Sequence, residues 1–352
     1  MRLALVLGSG GARGWAHIGA IQEIESRGHE VVGIAGASIG ALVGGVAAAG
    51  KLDELAEWVT ALTRPDVRRL YDLTFTGPGL LKGRRVLAEI EKITGPRAIE
   101  DLPLPFTAVA ADLVTNREVW FQSGSLYLAV RASISMPTFF TPVLIGERLL
   151  ADGGLLNPLP VEPTLALPSD ATIAVNLNAA PGRSPHEILV DRIEADRGPM
   201  VERVASTAHR NVEKLTGSLA DSEFFQRLER GWERLRPGSE RTALPDELPE
   251  DLREEGEPTA QTVRPRDDGP VTKSADVQAS PLPSGLSTME VIDLSISSMQ
   301  RIIARYRAAA NPVTATVDIP RDEVGTLDFH EGAKMIELGR TKTAEVLDAA
   351  GL

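Results

Sequence analysis

The chain has 352 residues, 43% hydrophobic and 24% charged, which is enough apolar material for a sizeable core and excludes a fibrous or wholly disordered protein. Its 37 Lys plus Arg against 49 Asp plus Glu give a net charge of −12, which argues against a nucleic-acid partner. The absence of cysteine excludes disulfides, thiolate metal sites and cysteine nucleophiles.

Residues 2–7 form a short apolar run that stops at glycine, too short for a secretory segment. Ile18, Ile21 and Ile24 then recur at helical spacing over Trp15–Arg27, so the chain opens as strand, glycine loop and helix. Val31–Ala35 predicts a second buried strand, followed by GASIG and a small-residue helix over Ala41–Ala49. Two successive strand-to-helix units imply a parallel sheet with helices on both faces. Helices are predicted at Leu52–Leu62 and Arg84–Ile93, strands at Phe106–Ala111 and Glu118–Phe121, and a helix over Leu126–Ser135 that Pro137 ends. Leu149–Ala151 leads into Asp152, Gly153 and Gly154, and Thr172–Leu177 is a further strand.

Beyond about residue 178 the composition changes. Met200–Lys214 and Ser222–Arg234 read as charged surface helices. Arg236–Leu286 holds eight of the 24 prolines, no aromatic residue, and eleven acidic against six basic residues. Such a stretch buries too little apolar surface to offset its ordering entropy and is expected to be a disordered acidic insertion. Helical patterning resumes from Ser287 through Arg307, Thr314–Ile319 suggests a late strand, and Glu331–Ala349 a closing helix. The expected organisation is a catalytic core over 1–235, the insertion over 236–286, and 287–352 completing the same domain. No run reaches the ~18 apolar residues of a membrane span, so a cytoplasmic location is expected.

Three segments carry chemistry. GASIG (Gly36–Gly40) matches GxSxG between a predicted strand and a predicted helix, where a serine sits on a tight turn with helix N–H groups pointing toward it; a plain βα turn is the alternative. GSGGARG (Gly8–Gly14) offers converging backbone N–H groups. Two uses compete: phosphate binding, weakened because Arg13 replaces the third glycine of GxGxxG, and an oxyanion hole built on Gly10 and Gly11. Arg13 at a helix N-terminus opposes the dipole, which suggests a structural or anion-binding job for its side chain. ADGGLLNPLP (Ala151–Pro160) places Asp152 before a Gly-Gly turn; read alone, Asp-Gly is a common turn.

Together these segments resemble the patatin-like phospholipase family, close to its bacterial and archaeal branch and similar to the catalytic domain of neuropathy target esterase. The matching stretches are GSGGARGWAHIG (Gly8–Gly19), GASIGALVG (Gly36–Gly44), GLLKG (Gly79–Gly83), RASISMPTFFTPV (Arg131–Val143) and DGGLLNPLP (Asp152–Pro160). LDFHEGAKMIELG (Leu327–Gly339) resembles that branch's C-terminal helix. The resemblance implies a three-layer α/β/α fold around a mostly parallel sheet. It also implies a Ser–Asp dyad, with Ser38 as nucleophile and Asp152 as base. The backbone of Gly10, Gly11 and Ala12 would be the oxyanion hole, with Arg13, Gly14, Gly36, Gly40, Gly153 and Gly154 as supporting positions. The expected activity is hydrolysis of phospholipid or lysophospholipid acyl esters; no cofactor and no metal are implied. The plant members commonly begin the first motif with Asp where this chain has Gly8 and Ser9, and Ala37 stands where the nucleophile motif often has Thr.

A carboxylate with a pKa near 4 is a weak base, so the oxyanion hole is expected to supply much of the acceleration. The rival reading is a Ser-Asp-His triad, for which His186, His209 and His330 follow Asp152 in the required order. His17 is read as a packing residue and His29 as exposed. Other readings are a general carboxylesterase or thioesterase, a nucleotide-binding protein, and a regulatory protein that recruits a partner through the acidic insertion. Residues 64–85 carry Arg64, Arg68, Arg69, Lys82, Arg84 and Arg85 against Asp66 and Asp72, with Phe75, Leu80 and Leu81 interleaved. This segment is expected to be a mobile cap meeting anionic lipid headgroups, with a solvated loop as the alternative. Met136, Phe139 and Phe140 are expected beside the acyl chain.

Overall fold

The first strand, β1 (Arg2–Leu7), divides its side chains by parity, as the pleat requires. Leu3, Leu5 and Leu7 enter the main core, whereas Val6 packs on the other face with Leu159, Val161 and Ala304. That division makes the layers of an α/β/α fold, as the resemblance implies. The computed structural model describes residues 1–72, 79–81, 83–183 and 288–352.

After a 3-10 turn at Gly11–Trp15 come α1 (Ala16–Ser26), β2 (Glu30–Ala37), α2 (Ile39–Ala48), α3 (Leu52–Ala61) and α4 (Arg64–Leu70). There follow β3 (Gly79–Leu81), α5 (Arg84–Thr94), β4 (Phe106–Asp112), β5 (Arg117–Phe121), α6 (Leu126–Ser133), β6 (Thr138–Phe140), β7 (Val143–Ile145), β8 (Arg148–Asp152) and β9 (Ala171–Ala179). The C-terminal part supplies α7 (Thr288–Ala310), β10 (Ala315–Pro320) and α8 (Gly332–Ala350). The main sheet runs β10-β9-β1-β2-β4-β8-β7, with β5 also on β4. The five strands from β10 to β4 are parallel; β5, β7 and β8 join antiparallel. Strand β10 therefore extends the sheet begun by the N-terminal half.

Local rules explain most boundaries. α6 stops at Ser133, two residues before the predicted end and ahead of Pro137, before which helical geometry is disfavoured. α4 was not anticipated: Thr63 and Asp66 close a reciprocal capping box over it, with Pro65 in its first turn. The three-residue strands β3, β6 and β7 are too short to register as periodicity. α1 crosses α8 at glycines: a Cβ on Gly19 would lie 1.8 Å from the Ile336 carbonyl oxygen, and one on Gly339 2.0 Å from that of Ala16. The expected helices Met200–Lys214 and Ser222–Arg234, and the Arg236–Leu286 insertion, lie outside the described residues. Among the described residues no helix is long and apolar enough to cross a membrane.

Candidate active site

β2 ends at Ala37 and delivers Ser38 into a turn that leads directly into α2. Ser38 has φ 56°, ψ −126°, a positive φ that a side-chain-bearing residue adopts only under constraint. Its N–H donates to the Ser133 hydroxyl at 2.9 Å, and that hydroxyl donates to the Val109 carbonyl at 2.6 Å. The flanking glycines are steric necessities. A Cβ on Gly36 would approach the Gly40 carbonyl to 2.4 Å, and one on Gly40 would come within 2.1 Å of the Leu7 carbonyl oxygen.

Asp152 ends β8, its N–H bound to the Ser135 carbonyl at 3.0 Å. Its carboxylate is fully buried. Oδ2 accepts from Ser38 Oγ at 2.5 Å and Oδ1 from the Gly154 N–H at 2.7 Å. Burial pushes the carboxyl up to about 7, against the opposing pull of those two hydrogen bonds. This corrects the expectation of an ordinary carboxylate near 4. Gly153 must be bare because a Cβ there would lie 2.0 Å from the Val109 carbonyl oxygen.

The glycine turn lies beside this pair: Gly10, Gly11 and Ser38 line one cavity. Among the described residues the Gly10 and Gly11 N–H groups have no acceptor, so both are free to serve a ligand. Ala12 differs from expectation, because its N–H donates to the Thr326 carbonyl at 2.9 Å and is already committed. Arg13 is buried, donating from Nε to the Leu177 carbonyl at 3.1 Å and from Nη1 to that of Arg321 at 3.2 Å. It ties the turn to β9 and to the chain just after β10. Gly14 sits where a Cβ would be 2.2 Å from Ile39 Cγ1.

The histidines stand apart from Ser38 and Asp152 among the described residues. His17 is buried in α1, its Nε2 2.8 Å from the Gly8 carbonyl oxygen, and burial pushes it down to about 4. His330 accepts from Arg64 Nε at 2.7 Å and lies 3.0 Å from Glu331. His29, expected to be exposed, is half-buried against the N-terminal amine. His186 and His209 lie outside the described residues. Among those described, no cluster of His, Asp or Glu could hold a metal ion.

The cavity wall is mostly apolar. Met136, Phe139 and Phe140 line it as expected, with Leu42, Leu62 and Ile134. Segment 64–85 contributes Val67, Leu70 and Tyr71, and Val86 just beyond it also lines the wall. Several of its polar groups are internally engaged: Arg69 pairs with Asp66 at 3.1 Å, and Asp72 accepts the Gly83 and Arg84 N–H groups at 2.6 and 2.9 Å. Phe75 and Lys82 lie outside the described residues. Asp293, Ser297 and Gln300 of α7, with Thr326 and Phe329, also line the cavity and were not anticipated. Their only sequence signal is the i, i+4, i+7 spacing that puts the α7 trio on one helix face. Gln300 is 5% exposed and its Nε2 has no partner; Ser9 Oγ is likewise unpartnered. A Cβ on Gly154 would lie 2.7 and 2.6 Å from these two atoms.

Residues 5–165 match the family model described as patatin-like phospholipase. Uncharacterised NTE family proteins of Mycobacterium bovis and Mycobacterium tuberculosis are 38% identical over 351 residues, covering 99% of this chain and 92% of theirs. Patatin-like phospholipase domain-containing protein 6 of Mus musculus is 32% identical over 184 residues, 50% of this chain and 14% of that one. The chain belongs to the NTE branch of the patatin-like phospholipase family, a membership that implies lipid ester hydrolysis.

Proposed function

We propose that this protein hydrolyses acyl esters of phospholipids or lysophospholipids through Ser38 and Asp152, with Gly10 and Gly11 as oxyanion donors. The observation that carries the reading is the 2.5 Å hydrogen bond from Ser38 Oγ to a buried carboxylate, beside two free backbone N–H groups in an apolar-walled cavity. Ser38 Oγ attacks the ester carbonyl while Asp152 takes its proton, and the carbonyl electron pair moves onto oxygen, which the two amides hold. Collapse expels the alcohol, which takes the proton from Asp152, and leaves an acyl ester on Ser38. Water then attacks that ester and gives its proton to Asp152. Ser38 leaves, recovers the proton, and the free carboxylic acid departs. A carboxyl near 7 accepts a proton in each half-reaction and returns it at neutral pH.

The test is labelling by a fluorophosphonate, mapped by peptide analysis, alongside hydrolysis of a panel of phospholipids, lysophospholipids, short-chain esters and thioesters. Labelling at Ser38 with preference for the lipid esters is expected; labelling elsewhere refutes the assignment. We extend the reading to contact of Arg68, Arg69, Arg84 and Arg85, all exposed, with anionic headgroups. Vesicle binding indifferent to their replacement by Gln removes that extension.

A further inference from the structure

α7 turns three polar side chains, beside Ile296, toward the cavity and carries four large apolar ones, with Ser295 and Ser298 among them, toward solvent. Asp293, Ser297 and Gln300 turn toward the cavity, and Ala304 packs with Val6 and Ala174 on the sheet. On the opposite face Val291, Met299, Ile302 and Tyr306 fall on one stripe at the helical repeat, 46, 55, 57 and 70% exposed. A helix packed on a sheet ordinarily turns its apolar stripe inward. Single exposed apolar residues need no explanation, but an aligned set on the outer face of a site helix does.

The charge beside the stripe is equally specific. Arg301 and Arg305 are exposed along one flank, and neither has a carboxylate within ion-pair reach among the described residues. Among the described side chains of α7, no acidic one is exposed. In a chain of net charge −12 this is a local cationic and apolar face.

We propose that the outer face of α7 docks on an anionic lipid surface, the apolar stripe entering the boundary between headgroups and acyl chains while Arg301 and Arg305 meet phosphates. A second copy pairing through the same face would set its arginines against these, whereas an anionic surface complements them, and this selects the lipid occupant. The inner face of the same helix borders the cavity, so docking would hold the cavity one helix away from the lipid surface. The proposal rests on the reading that the substrate is a lipid ester.

The experiment is sedimentation of the full chain with phosphatidylcholine vesicles made with and without phosphatidylglycerol. The protein is expected to sediment with the phosphatidylglycerol vesicles, less so at high salt. Met299→Ser and Ile302→Ser should each lower that affinity about tenfold. Arg301→Gln with Arg305→Gln should remove the preference for phosphatidylglycerol. All these variants should keep the parent melting temperature and the parent rate on a soluble short-chain ester. Vesicle binding unchanged in the variants, or absent in the parent, overturns the proposal. So does a dimer in sedimentation velocity that Ile302→Ser dissolves while vesicle binding persists, since the stripe is then a contact between copies. Docking as expected without Ser38 labelling or ester hydrolysis leaves the surface in place and refutes the hydrolase reading instead.

Discussion

The Ser38 amide and the Ser133 hydroxyl are joined at 2.9 Å, and the same hydroxyl holds the Val109 carbonyl at 2.6 Å, so one side chain on α6 fixes the strained turn to β4. Ser133→Ala leaves a buried N–H and a buried C=O unpaired, which costs about 1–3 kcal/mol. The urea midpoint should fall by the corresponding amount, and fluorophosphonate labelling of Ser38 should slow because the turn is less well held.

Ser38→Ala and Asp152→Asn are expected to abolish ester hydrolysis while circular dichroism shows the fold intact. In the parent protein kcat/KM should rise with pH through an apparent pKa of about 7, because Asp152 must be ionised to take the serine proton. A rate already level from pH 5 upward would mean that Asp152 is not the base.

Asp152 and His17 pull stability in opposite directions with pH. The folded Asp152 holds its proton up to about 7 against an ordinary 3.8, so its stabilising contribution is complete below pH 4 and is lost as pH rises toward 7. The folded His17 is neutral above about 4 against an ordinary 6.5, so its contribution grows from pH 4 to 6.5. The two trends offset each other in the parent. In Asp152→Asn the histidine trend is no longer opposed by Asp152, so denaturant unfolding should show stability rising more steeply over pH 4 to 6.5 than in the parent, the histidine adding up to about 1.4 kcal/mol per pH unit.

Gln300 gives a stability test of the unpartnered donor. Removing a buried, unpaired N–H relieves a desolvation penalty, so Gln300→Leu should be neutral or stabilising by about 1 kcal/mol in the absence of ligand. A loss of several kcal/mol on thermal unfolding would mean that the carboxamide has a partner after all.

His330→Ala separates the dyad from the triad among the described histidines. The ring bonds Arg64 and lies by Glu331, so ester hydrolysis should stay near the parent rate. A loss of orders of magnitude in kcat would restore the triad.

Much of this was legible because glycine reports crowding directly. Gly14, Gly36, Gly40 and Gly153 each stand where a Cβ would strike another atom, so the motifs that contain them advertise a close approach. The parallel strands β1, β2 and β9 were legible as buried apolar runs. What the sequence could not carry was long-range and environmental. The apolar and polar faces of α7 follow from its period, but not which of them turns toward the sheet. The Ala12 N–H is spent on a carbonyl 314 residues later in the chain, and nothing near Ala12 signals it. The basicity of Asp152 follows from complete burial, which depends on strands brought together from both halves of the sheet.

The Ala12–Thr326 bond also sets an order of events during synthesis. As the chain leaves the ribosome, GSGGARG emerges well before the carbonyl that fixes its turn, which arrives only with Thr326, after the proline-rich stretch and α7 have been made. A nascent chain carrying Ser38 and Asp152 therefore still lacks the tether of its glycine turn. The turn beside Ser38 is thus expected to reach its final form only after Thr326 has been translated.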